Sequence, residues 1–236
     1  MKSLPAFAIA ATVACTALVA PVFAHRADYL GNTLVFETLP AGELESELFL
    51  DAGWRGPSGA FTRQTLGFEY GISSRWMVDG RMSLSDARPG GYGPSQGFLE
   101  VRTRLGEEGQ WWFDPGFVLE GFWGRGDDGD TWGLAPTLIL SRDFGWLHAT
   151  LNFEVEIPLA GEGEPDFVAA LGLHHKLGHG WTVGVEWSHE VREESGFVMP
   201  QIWWQPGKDL IFKAGTALGY GEEGESFVRV AVEWEF

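Results

Sequence analysis

The sequence has little cysteine, little positive charge and, after position 24, no long apolar run. Its only cysteine, Cys15, lies within the segment 1–24, which excludes a disulfide-stabilised secreted scaffold. Thr12, where acylated lipoprotein signals prefer Leu, argues against acylation of Cys15. Lys and Arg number 16 against 33 Asp and Glu, which excludes ordinary nucleic-acid binding because phosphate contacts need basic side chains. After position 24 no stretch approaches the length of an apolar membrane helix.

The segment 1–24 has the features of a secretory signal peptide. Lys2 supplies a short basic start, Ala6–Ala20 is an apolar run, and small residues precede a predicted cleavage after Ala24. Because Lys2 is the only charged residue that cleavage removes, the formal net charge goes from −17 to −18.

Glycine and tryptophan are abundant, with 33 Gly and 12 Trp. Hydrophobic residues make up 44% of the chain and aromatic residues 14%, far more than a disordered chain carries. Together, this composition predicts many short strands, tight turns and an interface that suits indole rings.

Apolar and polar residues alternate with a period of two along most of the chain. Between 147 and 157, for example, every odd position is apolar and every even position is polar. We predict about twelve such strands, most near or slightly above the length that a tilted membrane strand needs. They cover 43–54, 61–72, 75–86, 97–106, 110–124, 131–142, 146–158, 166–177, 180–191, 196–205, 210–220 and 226–236.

Alternation alone does not separate a membrane barrel from a soluble β-sandwich, since both produce it. The tryptophans favour the barrel, because nine of them fall on apolar faces and sort to the two strand ends, as in aromatic girdles. They are Trp76, Trp111, Trp181, Trp204 and Trp234 at the expected periplasmic end, and Trp54, Trp123, Trp132 and Trp187 at the outer end. The predicted fold is all-β: a single transmembrane antiparallel up-and-down β-barrel of about twelve strands, with ten as the alternative.

The chain is then divided into a signal peptide (1–24), an N-terminal periplasmic segment (25–42) and the barrel (43–236). Whether residues 25–40 fold into the lumen is left open by the sequence. An even strand number returns both barrel ends to the periplasm. Short periplasmic connections are expected at 73–75, 106–110, 143–145, 178–180 and 206–209, and longer external ones at 87–96, 125–130 and 159–165.

The last strand ends on Phe236, with Trp234 and Val232 at alternate positions before it. This pattern resembles the C-terminal assembly signal of bacterial outer-membrane barrels. The resemblance implies the cell outer membrane as the location, and outer-membrane lipid and the barrel-assembly machinery as partners.

Two further segments resemble uncharacterised Gram-negative outer-membrane barrel families, some grouped with porins and transporters for aromatic compounds. They are Glu37-Thr38-Leu39-Pro40 followed by Gly42-Glu43-Leu44-Glu45, and Phe68-Glu69-Tyr70-Gly71-Ile72 followed by Arg75-Trp76. The resemblance covers about residues 35–85 and the terminus. It implies architecture and location, and it carries no catalytic residues.

The polar faces of the predicted strands would line the lumen. By parity the charged lining consists of Glu43, Glu45, Glu47, Asp51, Arg63, Glu69, Asp79, Arg81, Glu100, Arg102, Arg104, Asp114, Glu120, Glu154, Glu156, Lys176, Glu186, Lys213, Arg229, Glu233 and Glu235. A net acidic lumen predicts a narrow passive channel or transporter for small solutes or cations. The alternative is a closed structural barrel with a salt-bridged interior, blocked by Phe49, Trp112, Phe122 and Trp203.

The sequence evidence for catalytic or metal sites is weaker than the evidence for a polar lumen. His148 and His174 would be inward neighbours that could bind Zn²⁺ or Cu²⁺, but Lys176 beside them opposes a cation, so no metal or cofactor is expected. An outer-membrane lipid hydrolase needs a Ser–His pair, for which His189 and Ser195 are the candidates. No phospholipase motif accompanies them, so the chain is not expected to be an enzyme.

Two other carboxylate patterns are more typical of solvent-exposed side chains than of a catalytic or calcium site. The pairs Glu154–Glu156 and Glu186–Glu190 resemble glycosidase acids only in being two close carboxylates. The Asp-rich stretch from Arg125 to Asp130 lacks the spacing of a calcium loop.

Overall fold

The computed structural model describes residues 28–31, 33–55, 59–86, 91–126, 129–160, 164–222 and 224–236. The predicted signal peptide, its cleavage site and Cys15 lie outside these residues. Twelve strands are present: β1 Leu44–Arg55, β2 Gly59–Ser73, β3 Trp76–Ser85, β4 Gly93–Arg104, β5 Asp114–Gly126, β6 Gly129–Asp143, β7 His148–Ala160, β8 Asp166–Gly178, β9 Trp181–Glu190, β10 Ser195–Trp204, β11 Leu210–Tyr220 and β12 Ser226–Glu235. Within the described ranges, no helix has the length and apolarity to cross a membrane.

The twelve strands form one closed antiparallel barrel in which each strand pairs with its sequence neighbours and β1 pairs with β12. The predicted up-and-down architecture is confirmed, and the ten-strand alternative is wrong. Every strand begins and ends within about four residues of its predicted bounds. Closure satisfies the backbone groups that an open sheet edge would leave unpaired.

Both ends of the strand order lie at the same rim of the barrel, because the strand number is even. We call the rim at which β1 begins and β12 ends the terminal end, and the other rim the opposite end.

The prediction of a long connection at 125–130 is wrong. β5 and β6 pair as far as Gly126 and Gly129, which leaves two residues between them.

The prediction of a short connection at 106–110 is also wrong. Nine residues separate β4 from β5, from Leu105 to Phe113. The backbone N–H of Gln110 donates to the carbonyl of Glu107 (3.1 Å), and Gly109 adopts φ 71°, so a turn forms early in the segment. Trp111 and Trp112 therefore lie on this turn and not on β5.

The two faces of the barrel have opposite character. Large apolar side chains such as Leu48, Leu66 and Val230 are 42%, 50% and 45% exposed on the outside, whereas the inside is largely polar. Among the described residues two apolar clusters lie within the barrel, one formed by Leu30, Phe49, Phe61, Met199, Ala217, Phe227 and Ala231 and the other by Tyr29, Val35, Trp203 and Ile211. The outer surface therefore requires an apolar environment, because soluble proteins rarely expose such extensive apolar surface.

Residues 28–40 lie inside the barrel as a hairpin, which we call the plug hairpin; residue 32 is not among its described residues. The N–H of Tyr29 donates to the carbonyl of Thr33 (3.1 Å) across the turn. Leu30, Val35 and Leu39 are fully buried. Over its described residues, the segment expected in the periplasm thus occupies the lumen, which is the alternative that the sequence left open.

Candidate solute passage

A row of carboxylates runs around the inside of the first five strands. Glu45 pairs in register with Glu69, Glu69 with Asp79, Asp79 with Glu100, and Glu100 with Glu120. Directly opposed residues share one face of a sheet, so all five point inward. Like charges in this position are destabilising, which means that the row needs cationic neighbours.

Two arginines supply much of that positive charge. The Arg81 guanidinium lies 2.8 Å from Glu47, 3.0 Å from Asp79 and 3.2 Å from Glu69. Arg102 is fully buried and pairs with Glu100 at 2.8 Å. These ion pairs hold the row together across β1 to β4.

The closure strands carry a second set of ion pairs. Asp51 on β1 lies 2.8 Å from Arg63 on β2 and 2.6 Å from Arg229 on β12. Lys213 pairs with Glu233 at 2.6 Å, and both side chains are almost fully buried. Glu225 lies 3.5 Å from Arg63 as well, so two carboxylates face the two guanidiniums in this part of the interior.

The predicted lining residues mostly lie where parity put them. Fully buried are Glu45, Glu47, Asp51, Glu69, Asp79, Glu100, Arg102, Asp114, Glu186, Lys213 and Glu233; half-buried are Glu43, Arg63, Arg81, Arg104, Glu120, Glu154, Arg229 and Glu235; exposed are Glu156 and Lys176. Their role in lining a passage stays a prediction.

The aromatic predictions are mixed in outcome. Six of the nine girdle tryptophans are exposed on the outer surface, Trp123 and Trp187 are half-buried, and Trp111 is exposed on the segment between β4 and β5; their contact with a membrane interface stays a prediction. Among the expected blocking residues, Phe49 and Trp203 are each 5% exposed inside the barrel. Trp112 cannot block the lumen, because it lies on the β4–β5 turn and is 69% exposed.

A vestibule opens at the opposite end of the barrel. It consists of two cavities of about 430 and 300 Å³, both bordered by Gly31 and Gln96. The charged residues around the first are Arg63, Glu190, Glu193, Glu225 and Arg229, and those around the second are Arg81, Glu100, Glu120, Glu154 and Glu156. Seven carboxylates thus face three guanidiniums, so the vestibule favours cations.

Some of these vestibule residues were not identified from the sequence. Glu193 lies in the short turn between β9 and β10, where strand parity assigns no face. Gln96 fell in the predicted external connection 87–96, whereas β4 begins at Gly93, so strand parity was not applied to it.

The tip of the plug hairpin forms the floor of the vestibule. The Glu186 carboxylate, fully buried on β9, accepts hydrogen bonds from the backbone N–H groups of Gly31 and Thr33 at 2.7 Å each and from the Thr33 hydroxyl at 2.8 Å. Asn152 on β7 accepts from the N–H of Leu34 and donates to its carbonyl. Hydrogen bonds that an ionised carboxylate accepts are of the stronger, charge-assisted kind, and three donors of the hairpin converge on this one.

The two limbs of the hairpin are anchored nearer the terminal end. Asp28 pairs with Arg102 at 3.1 Å, and the Lys213 ammonium donates to the Asp28 carbonyl at 2.7 Å. On the returning limb, the N–H of Phe36 donates to the Ser141 hydroxyl at 3.1 Å. These partners belong to three different strands, so the hairpin is held from several sides.

Glu37, on the returning limb of the hairpin, has a pKa that is raised into the neutral pH range. Burial raises its pKa to about 7, and the nearby carboxylates of Glu108 and Asp28 add to the rise. Its own backbone hydrogen bond and the Arg104 guanidinium oppose the rise without cancelling it. The inserted hairpin therefore favours a protonated Glu37.

The two histidines that were weak metal candidates do meet. His148 and His174 are register partners whose rings stack with centroids 4.6 Å apart. The Tyr29 hydroxyl bonds to Nδ1 of His174 at 3.0 Å, and Lys176 borders the adjoining cavity. One ring nitrogen is thus engaged by the plug hairpin, and an ammonium group lies beside the pair.

Another possible metal ligand set was not singled out from the sequence. Among the described residues, Glu45, Glu47 and Glu69 place carboxylate oxygens within 4.8 Å of one another. Arg81 pairs with two of the three, which gives the group an internal counter-charge. In the Asp-rich stretch, Asp130 pairs with Arg125 at 2.9 Å, which occupies that carboxylate.

The candidate hydrolase pair is separated by the sheet. Ser195 is buried, pairs in register with Glu190 and borders the vestibule. His189 pairs with Gly196 and contacts Tyr220 on the outer face. Because neighbouring positions on a strand point to opposite faces, these two side chains cannot act as a catalytic dyad.

No protein-family model matches the chain, and no curated protein matches it either. Solved structures of similar fold include the KdgM porin (10% identity, TM-score 0.55, covering 80% of this chain and 99% of that chain). An outer-membrane channel from Pseudomonas putida F1 is similar as well (10% identity, TM-score 0.57, 88% and 98% covered). So is outer-membrane phospholipase A from Escherichia coli (9% identity, TM-score 0.52, 90% and 95% covered). These likenesses agree with the barrel fold that the sequence resemblance implies.

Proposed function

We propose that this chain is an outer-membrane barrel that serves as a narrow passive channel for small solutes and favours cations. The observation that carries the proposal is a closed barrel with an apolar outside and a charged inside, opening to a vestibule where seven carboxylates face three guanidiniums. Two of the three similar structures named above are described as a porin and a channel, which supports it.

The location belongs to the same proposal. The signal peptide (1–24) directs export and is removed after Ala24, and outer-membrane lipid surrounds the barrel. The barrel-assembly machinery is the proposed partner of the last strand. In support, the Phe236 ring is 64% exposed and stacks on Trp234, with ring centroids 5.0 Å apart.

Two alternative functions are a closed structural barrel and a lipid hydrolase, and each is supported by a separate observation. A closed structural barrel is favoured by the plug hairpin, which fills part of the lumen. A lipid hydrolase has the support of one similar fold, the phospholipase. Since Ser195 and His189 lie on opposite faces, we propose a channel that has no enzymatic activity.

Planar-bilayer recording of the refolded chain tests the channel. We expect discrete cation-selective steps, because the vestibule carboxylate oxygens attract cations. Glu120→Gln combined with Glu154→Gln should reduce the cation preference measured from reversal potentials in a salt gradient. Glu107→Gln is the matched control, since this carboxylate lies on the β4–β5 turn and pairs with Arg75. Equal selectivity in all three proteins would refute an acidic selectivity region.

A further inference from the structure

The plug hairpin lies across the proposed passage, so the inference that follows rests on the proposed function. Both vestibule cavities are bordered by Gly31, at the tip of the hairpin. A solute that moves from the vestibule toward the terminal end must therefore pass the tip. Leu30, beside the tip, packs in the apolar cluster with Phe49 and Met199.

The hairpin enters and leaves the barrel at the terminal end. Asp28, on the entering limb, pairs with Arg102 near the terminal end of β4. On the leaving limb, the Thr38 hydroxyl donates to the carbonyl of Ser74 in the β2–β3 turn, at the same rim. The tip reaches Glu186, five residues along β9, which corresponds to ~13 Å of height for a tilted strand. The hairpin can therefore withdraw only toward the terminal end.

For the described residues of the tip, the bonds to the barrel go to side chains and not to strand backbones. Gly31 and Thr33 bond to the Glu186 carboxylate, Leu34 to the Asn152 amide, and Leu30 to the Gln201 amide oxygen at 3.1 Å. The strands that carry these side chains keep their pairing with both neighbours. Withdrawal of the tip would break the side-chain bonds and leave the barrel ladder intact.

We propose that the plug hairpin is a displaceable gate, closed at rest, with Glu186 as the residue that anchors its tip. Burial of Leu30, Val35 and Leu39 stabilises the closed state, and the bonds to Glu186 fix the position of the tip. Opening connects the vestibule to the terminal end of the barrel.

A reversible clamp tests the gate in the full chain with Cys15→Ser. An alanine-type Cβ on Gly215 would lie 3.0 Å from Leu30 Cδ1, so Leu30→Cys with Gly215→Cys brings two thiols within reach of a disulfide. In planar bilayers we expect the oxidised protein to conduct at least about tenfold less than the reduced protein. The single variant Leu30→Cys is the control and should not respond to reductant.

A second pair of variants tests the anchor. Glu186→Gln keeps the shape but removes the charge that strengthens three hydrogen bonds, and should raise the open probability about tenfold. Glu164→Gln is the matched control, because Glu164 is 78% exposed, pairs with Arg192 at 3.1 Å and does not border either vestibule cavity. Equal open probabilities in the two variants would argue against Glu186 as the anchor.

Labelling separates failure of the gate from failure of the channel. The thiol of Leu30→Cys is buried while the hairpin is inserted, so a membrane-impermeant maleimide reports its withdrawal. Conduction that is insensitive to the clamp overturns the gate and leaves the channel standing. If the thiol is labelled but none of the variants conducts, the gate is supported and the channel is overturned. If the thiol is not labelled and no variant conducts, the gate is overturned.

Discussion

At the scale of single residues, the plug hairpin depends on one close approach between backbones. Gly71 on β2 has no side chain where the chain passes it at Pro40, and a Cβ there would overlap the Pro40 carbonyl oxygen. The N–H of Gly42 also donates to the Gly71 carbonyl at 2.8 Å. Gly71 therefore fixes the point where the hairpin joins the barrel.

Gly71→Ala should destabilise the folded chain by about 1–3 kcal/mol, the usual cost of an overpacked position. The measurement is unfolding by urea in detergent micelles. Gly124→Ala is the control, because a Cβ there meets nothing within 4 Å; it should be neutral or slightly stabilising, since alanine restricts the unfolded chain. Equal midpoints for the two variants would mean that the Pro40 contact is dispensable.

Glu37 makes insertion of the hairpin depend on pH. Its pKa is about 7 in the inserted state and 4.5 ordinarily, so insertion favours the protonated form between those values. The resulting stabilisation is complete below about pH 4.5 and is lost as the pH rises through about 7. The groups that face Glu37 are Arg104, Glu108 and Asp28.

Open probability should therefore be lower at pH 5 than at pH 8 in bilayer recordings. Glu37→Gln cannot ionise and should flatten this part of the pH profile, with the plug remaining inserted at pH 8. If the wild-type and variant profiles coincide, titration elsewhere in the lumen controls the hairpin.

At the scale of secondary-structure elements, the seam that closes the barrel has its own ion-pair group. Arg229 on β12 and Arg63 on β2 both bond to Asp51 on β1, at 2.6 and 2.8 Å. The Asp51 side chain is almost fully buried, and the two arginines are 13% and 14% exposed. Removal of the shared carboxylate takes away the ion pair of Arg229 and leaves Arg63 with only Glu225, at 3.5 Å.

Asp51→Asn should lower the free energy of unfolding by about 3–5 kcal/mol, as expected when one member of a buried ion-pair group is removed. Asp130→Asn provides the contrast, because the Arg125–Asp130 pair is about 40% exposed and solvent screens its charges, so its loss should change the stability little. Both are measured by chemical unfolding in the same micelles. Comparable losses would show that the seam does not depend on its buried charges.

The elements also show which parts of the structure could be predicted from the sequence. Strands follow from local alternation, which is why all twelve could be predicted with their inward faces. The start of β5 is predicted too early because Trp111, Trp112 and Phe113 are aromatic residues, which are common in strands, so composition does not mark the boundary with the strand that begins at Asp114. The plug hairpin could not be predicted, since its partners lie far along the chain: Thr33 bonds to Glu186, 153 residues away.

At the scale of the whole molecule, apolar and charged side chains are sorted to opposite sides of a closed sheet. A carboxylate row, its arginines and the vestibule lie inside, whereas Leu, Val and Trp side chains cover the outside. In water this arrangement would expose a large apolar surface. In a bilayer, acyl chains cover that surface and closure satisfies the backbone.

The environment of the outer surface can be tested by the energetic cost of an arginine placed at different depths along the barrel wall. Leu138 faces outward near the middle of β6 and is 39% exposed, while Leu159 faces outward at the end of β7 and is 66% exposed. Leu138→Arg should cost about 2–4 kcal/mol of folding free energy in phospholipid vesicles, and Leu159→Arg about 0–1 kcal/mol. Urea titration of tryptophan fluorescence in the vesicles measures both. A barrel surrounded by water would give two small and equal effects, because an arginine at either position would then be solvated. The difference between the two positions therefore tests directly whether lipid surrounds the barrel.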